Sequence, residues 1–121
     1  MTEVQLYDNS NLPVFGVFGL SALFDTGAEV SVFNASKDMF ELIFVNNFKD
    51  KTPWVINGFG GSVTGTKYTV LSIEMLGITL KNVEFVVPDK PATRYKFIIA
   101  ATVLKDHIYS IDMPNRKLII Y

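Results

Sequence analysis

The chain has 121 residues, 49% of them apolar, which is enough for one domain spanning 1–121 with a core of its own. Its charges are scattered and nearly cancel, at a net −1, which leaves no electrostatic footprint for DNA, RNA or an anionic membrane. It has no cysteine, and this excludes disulfides, thiolate metal sites and a cysteine nucleophile.

Short β-rich runs punctuated by Gly, Pro and Asn predict an all-β domain. Residues 4–7 read as a first strand, stopped by Asp8-Asn9-Ser10-Asn11. Residues 14–18 and 20–24 read as a hairpin turning at Gly19. The apolar run Ala22-Leu23-Phe24 reads as a buried strand, so Asp25 emerges from the core at its end. Thr26, Gly27 and Ala28 follow, and Gly27 permits a tight turn because glycine alone reaches positive φ cheaply. Residues 30–33 continue beyond this loop. Residues 36–44 are ambiguous; Ser36 suits the cap of a short helix with Met39, Phe40 and Ile43 on one face. Residues 54–57 and 62–68 flank a glycine-rich tip, as in a hairpin. Three strands are expected at 70–75, 78–80 and 83–87, the first pair turning at Gly77. Residues 97–99 form a short apolar strand, 100–105 have helical composition, and 109–113 and 117–121 form a last hairpin around Pro114-Asn115.

Few of these segments can carry chemistry. The single histidine, His107, has no partner at metal-ligand spacing and reads as a surface residue at a helix end. No serine motif stands with it, and no phosphate-cradling glycine loop precedes a helix. Nothing implies a metal or organic cofactor. Asp25 remains: a carboxylate leaving a core strand is half-shielded from water and suited to acid–base work. The plain alternative is a surface Asp-Thr-Gly turn. One aspartate is a poor catalyst of a difficult hydrolysis, whereas two held a few ångströms apart cannot both ionise and so supply an acid and a base together. No other aspartate here has the apolar lead-in and the Thr-Gly that follows, so the second carboxylate must come from another copy, across the two-fold axis of a homodimer.

Ala22-Leu23-Phe24-Asp25-Thr26-Gly27-Ala28 resembles the active-site signature of the retropepsins, the retroviral-type aspartic proteases. Trp54-Val55-Ile56-Asn57-Gly58-Phe59-Gly60-Gly61-Ser62 resembles their flap, a hairpin that folds over bound peptide. Residues 68–87 and Phe97-Ile98-Ile99 followed by 100–104 keep the family's order, so the resemblance covers most of the chain. It implies a closed β-barrel of short strands with a flap hairpin and one short helix near the C-terminus. It implies Asp25 as the catalytic carboxylate, Thr26 bonded across the dimer axis and Gly27 against the substrate backbone. Ala28 and Glu29 would line the cleft, and Gly58, Phe59, Gly60 and Gly61 would form the flap tip. The terminal strands, 4–7 and 118–121, would interleave across the dimer.

Three features depart from the family's pattern. Ala100-Ala101-Thr102 replaces a glycine, a polar or arginine residue and Asn or Asp, so an arginine–carboxylate pairing near the site is missing. The segment 36–51 is longer than in compact members. Glu29 stands where aspartate is common. The function implied is an aspartic endopeptidase acting as a homodimer on extended, largely apolar peptide segments. The alternative is a retropepsin-like fold used as a dimerisation or peptide-binding module. No segment has the layout of a secretory signal or the roughly 20 apolar residues of a membrane helix, and the expectation is a cytoplasmic protein.

Overall fold

In the computed structural model, which describes residues 1–8, 10–58, 61–91 and 94–121, strands dominate. They are β1 (Thr2–Gln5), β2 (Val14–Val17), β3 (Leu20–Asp25), β4 (Ser31–Phe33), β5 (Phe48–Gly58), β6 (Gly61–Met75), β7 (Ile78–Pro88), β8 (Phe97–Ala100), β9 (Tyr109–Asp112) and β10 (Lys117–Ile120), with one helix, α1 (Lys37–Ile43), between β4 and β5. The β2–β3 and β6–β7 turns each consist of two residues with positive φ, Phe18-Gly19 and Leu76-Gly77. That backbone matches the right-handed twist of the strands it joins.

Seven strands form one sheet in the order β2-β3-β8-β4-β7-β6-β5, and three form a second, β1-β10-β9. In the larger sheet β3 runs parallel to β8 and β4 parallel to β7, while β4 and β8 are antiparallel. The expected closed barrel is not found among the described residues, because β2 and β5 remain separate ends of the ladder. The strands are also longer than expected. Residues 62–68 and 70–75 are one strand, β6, because Thr69 between them pairs with Lys49 on one side and Glu84 on the other. No breaker separates them. The ladder with β7 skips only Leu71, between Val70↔Val83 and Ser72↔Lys81, and the Leu71 N–H donates to Asn47 O (3.0 Å). The Asn47 amide grips Ser72 on both sides, donating to its O at 2.7 Å and accepting from its N at 3.1 Å.

The helix, too, lies elsewhere than the resemblance implies. Ser36 caps α1, its hydroxyl accepting from Met39 N at 3.1 Å. Near the C-terminus there is only one turn of 3-10 helix, Ala101–Leu104, without a side-chain cap. The β-branched Thr102 and Val103 within it disfavour extension into an α-helix. On α1, Phe40 is fully buried while Met39 is exposed, so the buried face runs through Phe40 and Phe44 rather than Met39. Phe40 packs against Tyr68, Phe44 and Phe33 at ring separations of 4.5, 4.7 and 5.5 Å. This aromatic cluster joins α1 to β4 and β6, within a core that extends from Leu6 to Ile120.

The chain ends meet each other. β1 pairs antiparallel with β10, Val4 opposite Leu118, and β10 pairs with β9. The β9–β10 turn is held by Asn115, whose side chain and main-chain N–H both donate to the Asp112 carboxylate and keep it below its usual pKa. Among the described residues no helix is long and apolar enough to cross a membrane.

Candidate functional site

β3 alternates as a half-buried strand should: Ala22 and Phe24 are buried, while Leu23 and Asp25 are partly exposed. Flanked by β2 and β8, it has little freedom, and its last residue, Asp25, lies opposite Ala100 of β8. The chain then turns. Gly27 N donates to Asp25 Oδ1 at 2.8 Å, and Ala28 N lies 3.5 Å from Asp25 O. The carboxylate is thus oriented by the main chain of its own loop. Gly27 does not lie in the positive-φ region, contrary to the sequence argument. Its contribution is an N–H donor to the carboxylate; a Cβ there would stand in ordinary contact, 3.4 Å from Asp25 Oδ1. Thr26 and Gly27 are exposed, Ala28 is half-buried and Glu29 is exposed.

Two hydroxyls that sequence reasoning did not single out tie this loop to the 100–102 segment. Ser31, 1% exposed, accepts from Ala100 N at 3.1 Å, directly opposite Asp25 in the sheet. Thr102 Oγ1 donates to Glu29 O at 3.2 Å. The hydroxyl of Ala100-Ala101-Thr102 thus bonds the main chain of Glu29, not its carboxylate. Only the Asp-Thr-Gly context signalled the loop; the hydroxyls' long-range partners left no local trace.

The second element is the hairpin of β5 and β6, paired from Phe48↔Val70 to Gly58↔Gly61, with a register shift between Lys49 and Thr52. Gly61 has φ +106, which only glycine adopts without strain. Phe59 and Gly60, expected at the tip, lie outside the described residues. At the root, Glu41 of α1 accepts from Lys51 Nζ (2.8 Å) and from Tyr68 Oη (2.7 Å) on one oxygen, Oε2. The Lys51 ammonium and then the Tyr68 hydroxyl hold the Glu41 carboxyl below its ordinary pKa. Burial, and secondarily the bond to Glu41, push the Tyr68 phenol well above its own. Where the arm leaves the sheet, Gly65 lies so close to β7 that a Cβ would come 2.5 Å from Val87 O. Thr64 is latched there to Asp89, Oγ1 to Oδ2 at 2.6 Å and Asp89 N to Thr64 O at 2.9 Å.

Between loop and hairpin lies a groove of about 1020 Å³. Gly27, Ala28 and Glu29 line it together with Trp54 and Val55 of the hairpin, residues 79–84, and residues 102, 103 and 105–107. The structure thus brings the expected residues 27–29 together with the hairpin arm, whereas Asp25 and Thr26 sit at the groove's edge, outside its lining. His107 is exposed, just past the 3-10 turn, where its N–H donates to Leu104 O at 2.9 Å.

A family model described as "Aspartyl protease" matches residues 11–106. Among solved structures, the crystal structure of a retropepsin-like aspartic protease from Rickettsia conorii is similar over 98% of this chain and 87% of that one, with a TM-score of 0.57 at 17% identity. That likeness concerns the fold. No curated protein matches the chain.

Proposed function

The chain belongs to the aspartyl protease family, and from that premise we propose that it is an aspartic endopeptidase in which two copies each contribute Asp25. The observation that carries this reading is the Asp25 carboxylate itself, held at the mouth of a core strand by Gly27 N at 2.8 Å in an exposed loop. Each chain, 1–121, acts as one half of the enzyme. Across a two-fold axis the two carboxylates share one proton, because their like charges oppose double ionisation. The ionised aspartate takes a proton from water as its oxygen attacks the scissile carbonyl carbon. The protonated one gives its proton to the carbonyl oxygen. The tetrahedral diol then collapses: one hydroxyl gives its proton to the now ionised aspartate, the C–N bond breaks as the nitrogen takes the proton held by the other, and an acid and an amine are released with the pair again singly protonated.

Around that step Thr26 bonds across the axis and joins the two loops. Gly27, Ala28 and Glu29 face the peptide main chain, and the β5–β6 hairpin, with Gly58, Phe59, Gly60 and Gly61 at its tip, closes over it as a flap. Substrate lies extended, as an added strand whose main-chain bonds give affinity and whose alternate side chains enter pockets. No metal or cofactor takes part.

Digestion of a peptide library by the wild type beside Asp25→Asn tests the reading, with a statine-type inhibitor as a third arm. Cleavage by the wild type should fall roughly 10²–10⁴-fold in the variant and be blocked by the inhibitor, with the circular dichroism spectrum unchanged. Equal cleavage by both proteins would refute the role of Asp25.

A further inference from the structure

The smaller sheet ends on β9, and its hydrogen-bond register dictates what that edge presents. Along an antiparallel pair, residues alternate between spending their main-chain groups on the partner strand and turning them the other way. Tyr121 N donates to Ile108 O at 2.8 Å, in the same register that sets Ile120 opposite Tyr109. Ile108, Ser110 and Asp112 therefore spend their groups on β10. Tyr109 and Ile111 turn theirs outward, two N–H and two C=O groups, on a side where no described strand pairs with β9. The strand, Tyr-Ser-Ile-Asp, has no proline, lysine or bulge of the kind that blunts an edge.

The opposite edge differs. The bond from Leu6 N to Arg116 O (2.8 Å) shows by the same alternation that β1 turns Glu3 and Gln5 outward. Glu3 is ion-paired with Lys117 at 3.2 Å, and Thr2 lies against Gly77 of the β6–β7 turn. β9 instead starts under the Asp25 loop: the Tyr109 ring meets that of Phe24, the residue before Asp25, edge-on at 5.4 Å. Ile108 and Tyr121 beside it are 76% and 61% exposed.

We propose that β9 pairs antiparallel with β9 of a second copy, joining two three-stranded sheets into one of six, β1-β10-β9-β9-β10-β1, with no exchange of chain ends. This rests on the homodimeric reading of Asp25, which a single chain leaves half complete, and it places the two-fold axis beside that loop. The register follows. Setting Tyr109 opposite the second copy's Ile111 uses all four outward groups on each strand and makes four hydrogen bonds. Centring the axis on Tyr109 or Ile111 uses only half of them. Ser110 then faces Ser110 across the axis as a non-hydrogen-bonded pair, with Cα atoms about 4.5 Å apart. Tyr109 and Ile111 pack on the core side. Ser110 points away from it, its Oγ 3.3 Å from Tyr121 Oη at an exposed position.

Because the chain has no cysteine, Ser110→Cys supplies one thiol per copy, at a separation a disulfide spans. Under mild oxidation most of this variant should run as a covalent dimer on a non-reducing gel and revert with reductant, while Glu3→Cys on the other edge stays monomeric. Ile111→Pro removes one outward N–H per chain without touching a bond to β10. By sedimentation it should weaken the dimer about tenfold or more with the dichroism spectrum retained. A wild type that sediments as a dimer while Ser110→Cys fails to cross-link overturns the β9 interface and leaves the paired-Asp25 reading standing. Cross-linking through Glu3→Cys instead also overturns it. Efficient Ser110→Cys cross-linking in a protein that cleaves no peptide supports the sheet and removes the protease reading.

Discussion

Ser31 and Thr102 both brace the Asp25 loop through a hydroxyl, but in different surroundings. Ser31 is 1% exposed and is the acceptor for Ala100 N, whereas Thr102 is exposed where it reaches Glu29 O. Ser31→Ala leaves a buried N–H without an acceptor and should cost about 1–3 kcal/mol of stability. Thr102→Ala lets water replace the hydroxyl and should cost less than about 1 kcal/mol. Urea unfolding of the two variants checks this, and equal losses would mean that the Ser31 bond contributes no more than a surface contact. At this scale the sequence was legible where chemistry is local: the apolar lead-in placed Asp25 at a strand end, as found. It was illegible where the cause is a distant atom. Gly65 looks like any strand glycine until Val87 O is found 2.5 Å from where its Cβ would stand. The hydroxyl of Ser31 likewise gains meaning only from Ala100, 69 residues away.

The β5–β6 hairpin, read from its glycine-rich tip and β-rich arms, is present, but what anchors it lies in α1, where the sequence is ambiguous. Glu41 holds Lys51 on one arm and Tyr68 on the other with a single carboxylate oxygen. These donors favour the charged form and lower its pKa in the folded state, Lys51 more than Tyr68. A carboxyl whose folded pKa is depressed adds stability that is fully present above its unfolded value, near 4.3, and is lost as pH falls through the folded one. Glu41→Gln should therefore lower Tm at neutral pH, and the gap to the wild type should shrink once pH drops below about 4. Thermal melts across that range measure it. A gap that holds constant down to acid pH would show that the carboxylate charge is not what fastens the hairpin root. The helix itself is marked in the sequence by Ser36 as a cap and by Met39, Phe40 and Ile43 on one face, of which Met39 is exposed in the structure. Its burial through Phe40 became decidable once β4 and β6 supplied aromatic partners.

For the whole molecule, composition and punctuation sufficed for a β-rich chain but not for its strand bounds: β1 runs Thr2–Gln5 rather than 4–7, β5 starts at Phe48 rather than 54, and 78–80 and 83–87 are one strand, β7. They did not disclose the pairing. Strand joins such as Thr69, the open order of the seven-stranded sheet and the union of β1 with β10 depend on contacts between distant segments. With β1 paired to β10 within the chain, the edge we propose for assembly is β9, beside the Asp25 loop. The central claim, that two copies each lend one aspartate to a single active centre, is tested most directly by subunit mixing. Wild type is combined with Asp25→Asn at constant wild-type concentration and allowed to exchange, and peptide cleavage is measured. Random pairing in an isologous dimer predicts that activity per wild-type chain falls to about half at equal amounts and to about a tenth at ninefold excess of the variant. Activity that tracks the wild-type chain alone, whatever the excess, would contradict a shared centre.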